Sequence, residues 1–283
     1  MPIKALLMGE AGSGKTCALA SLLDAGYQVR VIDADNKIDG LRNILTHKDS
    51  KYKRDSIERL AYVTLTERMR MAQGRIIPAS ANVWPKTIGL LEDWNNADPA
   101  LGTVAKLGKL TSWDDNCVLV IDTLSSIGAA AMNFGQAMNG VLGNIRTQNE
   151  IRRDIGGAQS LVRDLVRLLN DTSIKCHVIV STHITYVRAD GSGVLTLGDG
   201  GDSNVPTQGF PNAIGRAISP EIPRYFGNVL LLKQIGSGAA TRRRLYTLTQ
   251  GNVNLQSNAP LSVAPEYAQE TGLADLFKAL RAA

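Results

Sequence analysis

Gly9-Glu10-Ala11-Gly12-Ser13-Gly14-Lys15-Thr16 follows the apolar run Ile3 to Met8 and leads through Cys17 into a helical pattern. Ala18, Leu19, Leu22 and Leu23 form one face of that helix and Gly26 stops it. These residue types suit phosphate. The glycines let successive backbone N–H groups converge on an anion, Lys15 reaches β and γ oxygens, and the Thr16 hydroxyl is a ligand for Mg2+. The helix that Lys15 opens adds unpaired N–H groups and the positive end of its dipole. A strand before and a capped helix after are the context this motif requires. The expected ligand is therefore a nucleoside triphosphate, ATP with Mg2+, held by residues Gly9 to Cys17 including the essential Lys15.

A second chemical signal lies at Cys117-Val118-Leu119-Val120-Ile121-Asp122, a continuous apolar run ending in a carboxylate. Such a run is the form of a buried strand that delivers an acid to its C-terminal end. Asp122 is thus the expected partner of Thr16 in holding Mg2+. Two further strand patterns, Val29–Asp33 and Leu60–Thr66, stand between the phosphate-loop helix and the Asp122 strand. That order suits the additional-strand division of phosphate-loop ATPases, in which a carboxylate activates water. Glu commonly follows the magnesium Asp in such enzymes, whereas Thr123 follows it here, so the base must come from elsewhere.

The elements that position these residues are legible as short apolar runs alternating with longer helical or loop segments, the signature of a mainly parallel sheet in an α/β domain. His177–Thr182, Val229–Lys233 and Leu245–Thr249 complete the strand patterns. Gly236-Ser237-Gly238 between the last two predicts an antiparallel edge hairpin. Lys86–Trp94 and Ala158–Leu169 carry helical periodicity, and Leu273–Leu280 reads as a closing amphipathic helix. The expected organisation is one domain over 1–283, with a core to 250 and a tail with its helix over 251–283. Gly128–Gly157 and Ile184–Phe226 read as long loops rich in Gly, Asn, Ser and Pro, a class that is often functional. The Gly- and Asp-rich stretch Asp190–Asn204 is assigned no element.

The 283 residues, 44% hydrophobic and 20% charged, allow one substantial core. A net charge of +5 suits a polyanionic partner or simple solubility. Neither a secretory leader nor a bilayer-spanning run is visible, so the expected setting is the cytoplasm with no membrane partner. Cys17, Cys117 and Cys176 form no CxxC pair and read as small buried apolar residues.

On these residues the chain resembles the RecA-type ATPase core. Val31 to Gly40 resembles the segment in which an acid polarises the attacking water, Val118 to Ser126 resembles the magnesium strand, and His177 to His183 resembles the sensor strand. The resemblance implies Asp35 as catalytic carboxylate and His183 as γ-phosphate sensor. Glu usually stands at the first position and Gln at the second, so slow hydrolysis is expected. Plainer roles compete: Asp33 or Asp35 as a cap for the next element, and His183 as a structural histidine. The phosphate loop starts at Gly9, where the family has a filament-linking arm before it, and the tail after Thr249 is short. That shape resembles phage nucleotide-binding proteins grouped with single-strand annealing recombinases, which implies the cytoplasm of a bacterial host if phage-encoded.

In the RecA arrangement the two long segments are DNA-binding loops. Arg146, Arg152 and Arg153 in the first, with Arg188, Arg216 and Arg224 in the second, are the implied phosphate contacts, and Phe134, Tyr186, Phe210 and Tyr225 can stack on bases. An arginine on a solvated face is the competing reading for each. Arg242-Arg243-Arg244 has two readings: positive groups reaching a neighbouring subunit's γ-phosphate in trans, or an edge-strand guard. The basic segment Arg42 to Arg59 reads as a solvated helix or crossover.

Three functions are compatible with these residues. One is a slow or DNA-stimulated Mg-dependent ATPase acting as a ring or filament on single-stranded DNA in recombination, annealing or replication, alongside a single-strand binding protein. Another is a small-molecule or nucleotide kinase, for which no arginine-bearing lid is evident. The third is a non-catalytic module in which ATP orders the loops.

Overall fold

A computed structural model describes residues 1–72, 74–189, 195–197 and 207–283. In chain order the first half contains β1 (Lys4–Met8), α1 (Lys15–Ala18), α2 (Ala20–Asp24), β2 (Gln28–Asp33), α3 (Ile38–Thr46), β3 (Leu60–Thr64), β4 (Met69–Ala72), β5 (Arg75–Pro78), α4 (Val83–Glu92), β6 (Trp94–Asn96), β7 (Ala105–Gly108), β8 (Cys117–Asp122) and α5 (Leu124–Met138). Then come α6 (Gln148–Leu169), β9 (His177–Thr182), β10 (Ile184–Ala189), β11 (Leu195–Leu197), β12 (Thr207–Pro211), β13 (Asn228–Ile235), β14 (Arg242–Tyr246), β15 (Glu266–Ala268) and α7 (Gln269–Ala282).

The central sheet has eight strands in the order β15-β14-β13-β1-β9-β8-β2-β3. The six from β13 to β3 are parallel, and β14 and β15 add antiparallel at one edge. This is the mainly parallel sheet flanked by helices, with an antiparallel edge, that the sequence predicts. Its central strands are covered on both sides, which is why they read as unbroken apolar runs. Their pleat divides the core: Leu6, Met8, Leu119 and Ile121 face α4, α5 and α6, while Ala5, Leu7, Val118 and Val120 face α1, α2, α3 and α7.

Topology brings the chemistry together. Strand β9 lies between β1 and β8, so the phosphate-loop strand and the Asp122 strand are second neighbours, as the additional-strand order requires. Asp33 sits opposite Asp122, and Met8 opposite Thr182. The ends of β1, β2, β8 and β9 therefore share one edge of the sheet, where ligands bind in open parallel sheets.

Several boundaries differ from expectation. Gly128–Gly157 is mostly helix, and only residues 139–147 connect α5 to α6. Thr123 caps α5 by accepting from the Ser126 N–H, and a capping box between Thr147 and Glu150 starts α6. Gly156-Gly157 masks that helix, since glycine costs about 1 kcal/mol in a helix interior. Burial of Asp154, Ala158, Val162, Leu165, Val166 and Leu169 carries the helix through. Within Ile184–Phe226, β10 pairs antiparallel with β11 and β12. Of Asp190–Asn204 only 195–197 belong to the described residues. The second strand of the edge hairpin is the arginine run Arg242–Tyr246, three residues earlier than its apolar part suggests, and β15 lies outside it.

Candidate nucleotide-binding site

The turn after β1 is shaped by glycine. Gly12 and Gly14 have φ of 78° and 92°, in the left-handed region that other residues rarely adopt. Gly9 is pinned to the neighbouring strand by its N–H donating to the Thr182 carbonyl at 3.2 Å. Lys15 is buried, and its Nζ donates to the carbonyls of Gly9 and Glu10 at 2.8 and 3.0 Å. Burial lowers the pKa of Lys15, while the Asp122 charge opposes that shift. Among the described residues no side chain caps α1, and the buried Ser13 hydroxyl has no partner. Free amides, a buried ammonium and an unpartnered hydroxyl on one turn fit a phosphate group.

Asp122 ends β8, and its Oδ2 accepts from the Thr16 hydroxyl at 2.6 Å while Oδ1 accepts from Ser181 at the end of β9. A hydroxyl and a carboxylate already in contact beside the lysine form an oxygen pair suited to Mg2+, which keeps its remaining positions for phosphate and water. The donor set thus fits the expected cation, with Thr16 and Asp122 as the residues that would hold it.

Asp33 and Asp35, indistinguishable by sequence, have separate tasks. Asp33 is fully buried, and its carboxylate accepts from the backbone N–H groups of Asp35, Lys37 and Ile38 and from the Thr64 hydroxyl. It organises the turn into α3; burial raises its pKa against those hydrogen bonds. Asp35 faces the cleft. Its Oδ1 accepts from Ser126 and, at 3.1 Å, from Thr123, and Lys37 lies 3.4 Å from Oδ2. Burial works to raise the Asp35 pKa, but the Ser126 and Thr123 hydrogen bonds and the Lys37 charge outweigh it and hold the group below the usual carboxylate range.

His183 bridges the two sides. Its Nδ1 is 3.5 Å from Lys15 Nζ and its Nε2 is 3.2 Å from Asp35 Oδ2. An ammonium can only donate, so Nδ1 accepts and Nε2–H donates to Asp35. The His183 carbonyl accepts from the Asn212 N–H at 2.7 Å. Thr182 and Ser125 hydroxyls donate to the Asn212 carbonyl at 2.9 and 2.7 Å. The strand end that touches Asp35 is thereby tied to β12 in the smaller sheet. Tyr186 on β10 adds a second link, its hydroxyl donating to Glu10 at 3.4 Å.

A cleft of about 450 Å3 connects these groups, lined among others by Lys15, Thr16, Cys17, Asp35, Asp122 and His183. Cys17 is half-buried, its thiol pKa raised by burial, and it serves as a wall. Ala11 and Glu10 are exposed on the outer side of the loop.

Arg243 lines the same cleft. Its Nε donates to the Gly12 carbonyl at 3.4 Å, against the phosphate loop of its own chain. Gln269 joins it, donating to the Gly14 carbonyl at 3.0 Å. Strand alternation sends Arg242 and Arg244 to the other face of β14, with Arg242 exposed and Arg244 half-buried. Within its own chain Arg243 is thus a neighbour of the nucleotide cleft.

The remaining arginines divide likewise. Arg146 has a side chain only 9% exposed, with a double contact to Asp154 at 3.2 Å and a third to Glu150 at 3.1 Å. It pins the start of α6, which corrects its expected role as a free phosphate contact. Arg152 and Arg153 are exposed on α6, and Arg216 is exposed before β13. Arg224 is exposed but paired with Glu221 at 3.1 Å and bonded to the Tyr225 hydroxyl. Arg188 lies on β10, and its side chain falls outside the described residues. Sequence reasoning missed Thr123 and Ser126 as hydrogen-bond donors to Asp35, and Ser181 as a donor to Asp122. The hydroxyl-rich run directly after Asp122 was the available signal.

No protein-family model matches the chain, and no curated protein matches it in sequence. Solved structures that align with it include a KaiC-like protein of Pyrococcus horikoshii OT3, at 13% identity over 86% of this chain and 77% of that one, with a TM-score of 0.37. The RadB recombinase aligns at 12% identity over 86% and 79%, TM-score 0.40. The flagellar accessory protein FlaH from Methanocaldococcus jannaschii aligns at 9% identity over 93% and 83%, TM-score 0.40. Scores this low assign no activity or partner.

Proposed function

We propose that this chain binds Mg·ATP, hydrolyses it slowly, and uses the cycle to control an oligomer on single-stranded DNA in phage-type recombination, annealing or replication. The observation that carries the catalytic part is the single cleft in which Lys15, the Thr16–Asp122 pair and Asp35 converge, with His183 touching both Lys15 and Asp35. Lys15 exchanges its loop carbonyls for phosphate oxygens. When bound, Mg2+ neutralises charge on the β and γ oxygens, with Thr16 and Asp122 as its protein ligands. Asp35, ionised at neutral pH, accepts a hydrogen bond from the attacking water and orients it. A carboxylate held at low pKa is a weak proton acceptor, which suits slow turnover.

The DNA part is supported by the ties from His183 through Asn212 to β12 and from Glu10 to Tyr186 on β10. They make the smaller sheet sensitive to what occupies the phosphate loop. Arg152, Arg153, Arg188, Arg216 and Arg224 are the proposed phosphate contacts, and Arg242 and Arg244 the proposed contacts to a neighbouring copy. The test is ATP turnover with product analysis, with and without single-stranded DNA. Inorganic phosphate released faster with DNA supports the reading. A phosphorylated metabolite would establish a kinase instead, and ATP binding without any turnover would leave a non-catalytic module.

A further inference from the structure

The segment between β3 and α4 leaves the sheet at the edge that bears the nucleotide cleft and folds into the β4–β5 hairpin. Its register is Met69↔Pro78, Arg70↔Ile77, Met71↔Ile76 and Ala72↔Arg75, closed at Gly74 with φ of 71°. Directly opposed residues share a face, so Met69, Met71 and Ile76 lie on one side and Arg70 and Arg75 on the other. Met69, Met71 and Ile76 are 55%, 89% and 71% exposed and together form an apolar patch on one face of the hairpin. Arg68, Arg70 and Arg75 are also exposed, and among the described residues none of their guanidinium groups has a partner. Residues 68–79 contain no acid. Glu67, just before, is engaged by the Asn82 and Val83 N–H groups at the start of α4. On the side of Arg70, Ile77 lies against Gly143 in the α5–α6 connection.

We infer that the β4–β5 hairpin is a single-stranded nucleic-acid contact, in which Arg68, Arg70 and Arg75 neutralise phosphates and Met71 and Ile76 press against bases. This rests on the functional reading above and assigns its DNA to a new surface. Charge complementarity selects the occupant. Three unpaired guanidinium groups with no intervening acid repel a second copy of the same hairpin and attract a polyanion. Apolar side chains on the opposite face of the same narrow ribbon provide the wedge that an unstacked strand accepts, while the long arginine side chains hold its phosphates.

The experiment is fluorescence anisotropy of a labelled oligothymidylate with the full chain, Mg2+ and a non-hydrolysable ATP analogue, across a series of salt concentrations. Combined Arg68→Ala, Arg70→Ala and Arg75→Ala should weaken binding on the order of tenfold or more and make the log–log salt slope shallower by about 2, since each phosphate contact on a single strand contributes about 0.7. Lysine at the three positions should retain the slope. Combined Met71→Ala and Ile76→Ala should weaken binding with the slope unchanged. No hairpin residue lines the nucleotide cleft, so ATP-analogue affinity serves as the folding control. Wild-type affinity and slope in the triple alanine variant would overturn the inference while leaving the functional reading intact. So would a loss confined to self-association, which would make the hairpin a contact between copies. Absence of polynucleotide binding by the wild-type chain would remove the functional reading and this inference with it.

Discussion

In the nucleotide cleft each charged side chain named above has a partner, whereas on the β4–β5 hairpin three guanidinium groups have none among the described residues. Lys15 bonds loop carbonyls, Asp122 is bonded by Thr16 and Ser181, and Asp35 is bonded by Thr123, Ser126 and His183. The cleft is ordered by the fold, so a ligand there replaces existing hydrogen bonds and its geometry is fixed before binding. The hairpin is ordered by its own ladder and by Ile77 against Gly143. Its charges are solvated, and a polyanion adds interactions there by releasing counterions. Substitutions in the two regions should therefore be read by different instruments.

The sharpest contrast uses one residue type. Arg146→Ala leaves Asp154 buried with a charge and only Gln136 to bond it, and should lower stability by about 3 kcal/mol, seen in chemical denaturation. Arg70→Ala should move stability by less than about 0.5 kcal/mol in the same assay. Equal effects would erase the distinction between saturated and free arginines. Acid probes the sheet that carries both regions. The buried His177 has its pKa lowered from 6.5 to about 4 by desolvation, so it stays neutral in the folded chain. Its contribution is complete above pH 6.5 and declines as pH falls towards 4, by up to about 3 kcal/mol at 1.36 kcal/mol per unit. Denaturation midpoints flat across that window would contradict this assignment.

Within the cleft, Lys15→Ala should reduce Mg·ATP affinity about 100-fold, or about 2.7 kcal/mol, in calorimetric titration. Arg243→Ala should reduce it about tenfold, or about 1.4 kcal/mol, even in dilute monomer. Mixing Arg243→Ala with Lys15→Ala subunits separates cis from trans action. A cis arginine gives no recovery of ATP turnover in the mixture, and recovery would show that the neighbour supplies it.

How far the sequence discloses each region follows the same contrast. Residues at the ends of apolar strands were legible, because a buried parallel strand announces itself and its last residue must face the cleft edge. Asp122 and His183 are of this kind, while Lys15 and Thr16 open α1 and are marked by the Gly9–Thr16 motif. The roles of Asp33 and Asp35 were not separable, since both lie at one strand end and only the turn into α3 decides which points inward. The first half of α6 was hidden by Gly156-Gly157, although its capping box at Thr147 and Glu150 is written in the sequence. The Arg/Met alternation of 68–71 has the period of a strand, but it has no apolar run and no buried face to mark it. The cis contact of Arg243 was not legible, because three consecutive arginines look alike until the pleat of β14 divides them.

The central claim is that Asp35 turns a nucleotide-binding cleft into a hydrolytic one. Its most direct test is phosphate release by wild type and Asp35→Asn with single-stranded DNA present, with Mg·ATP affinity measured on the same samples. The account predicts a drop of about 100-fold in turnover with affinity held within about threefold. Turnover that survives the substitution would contradict it.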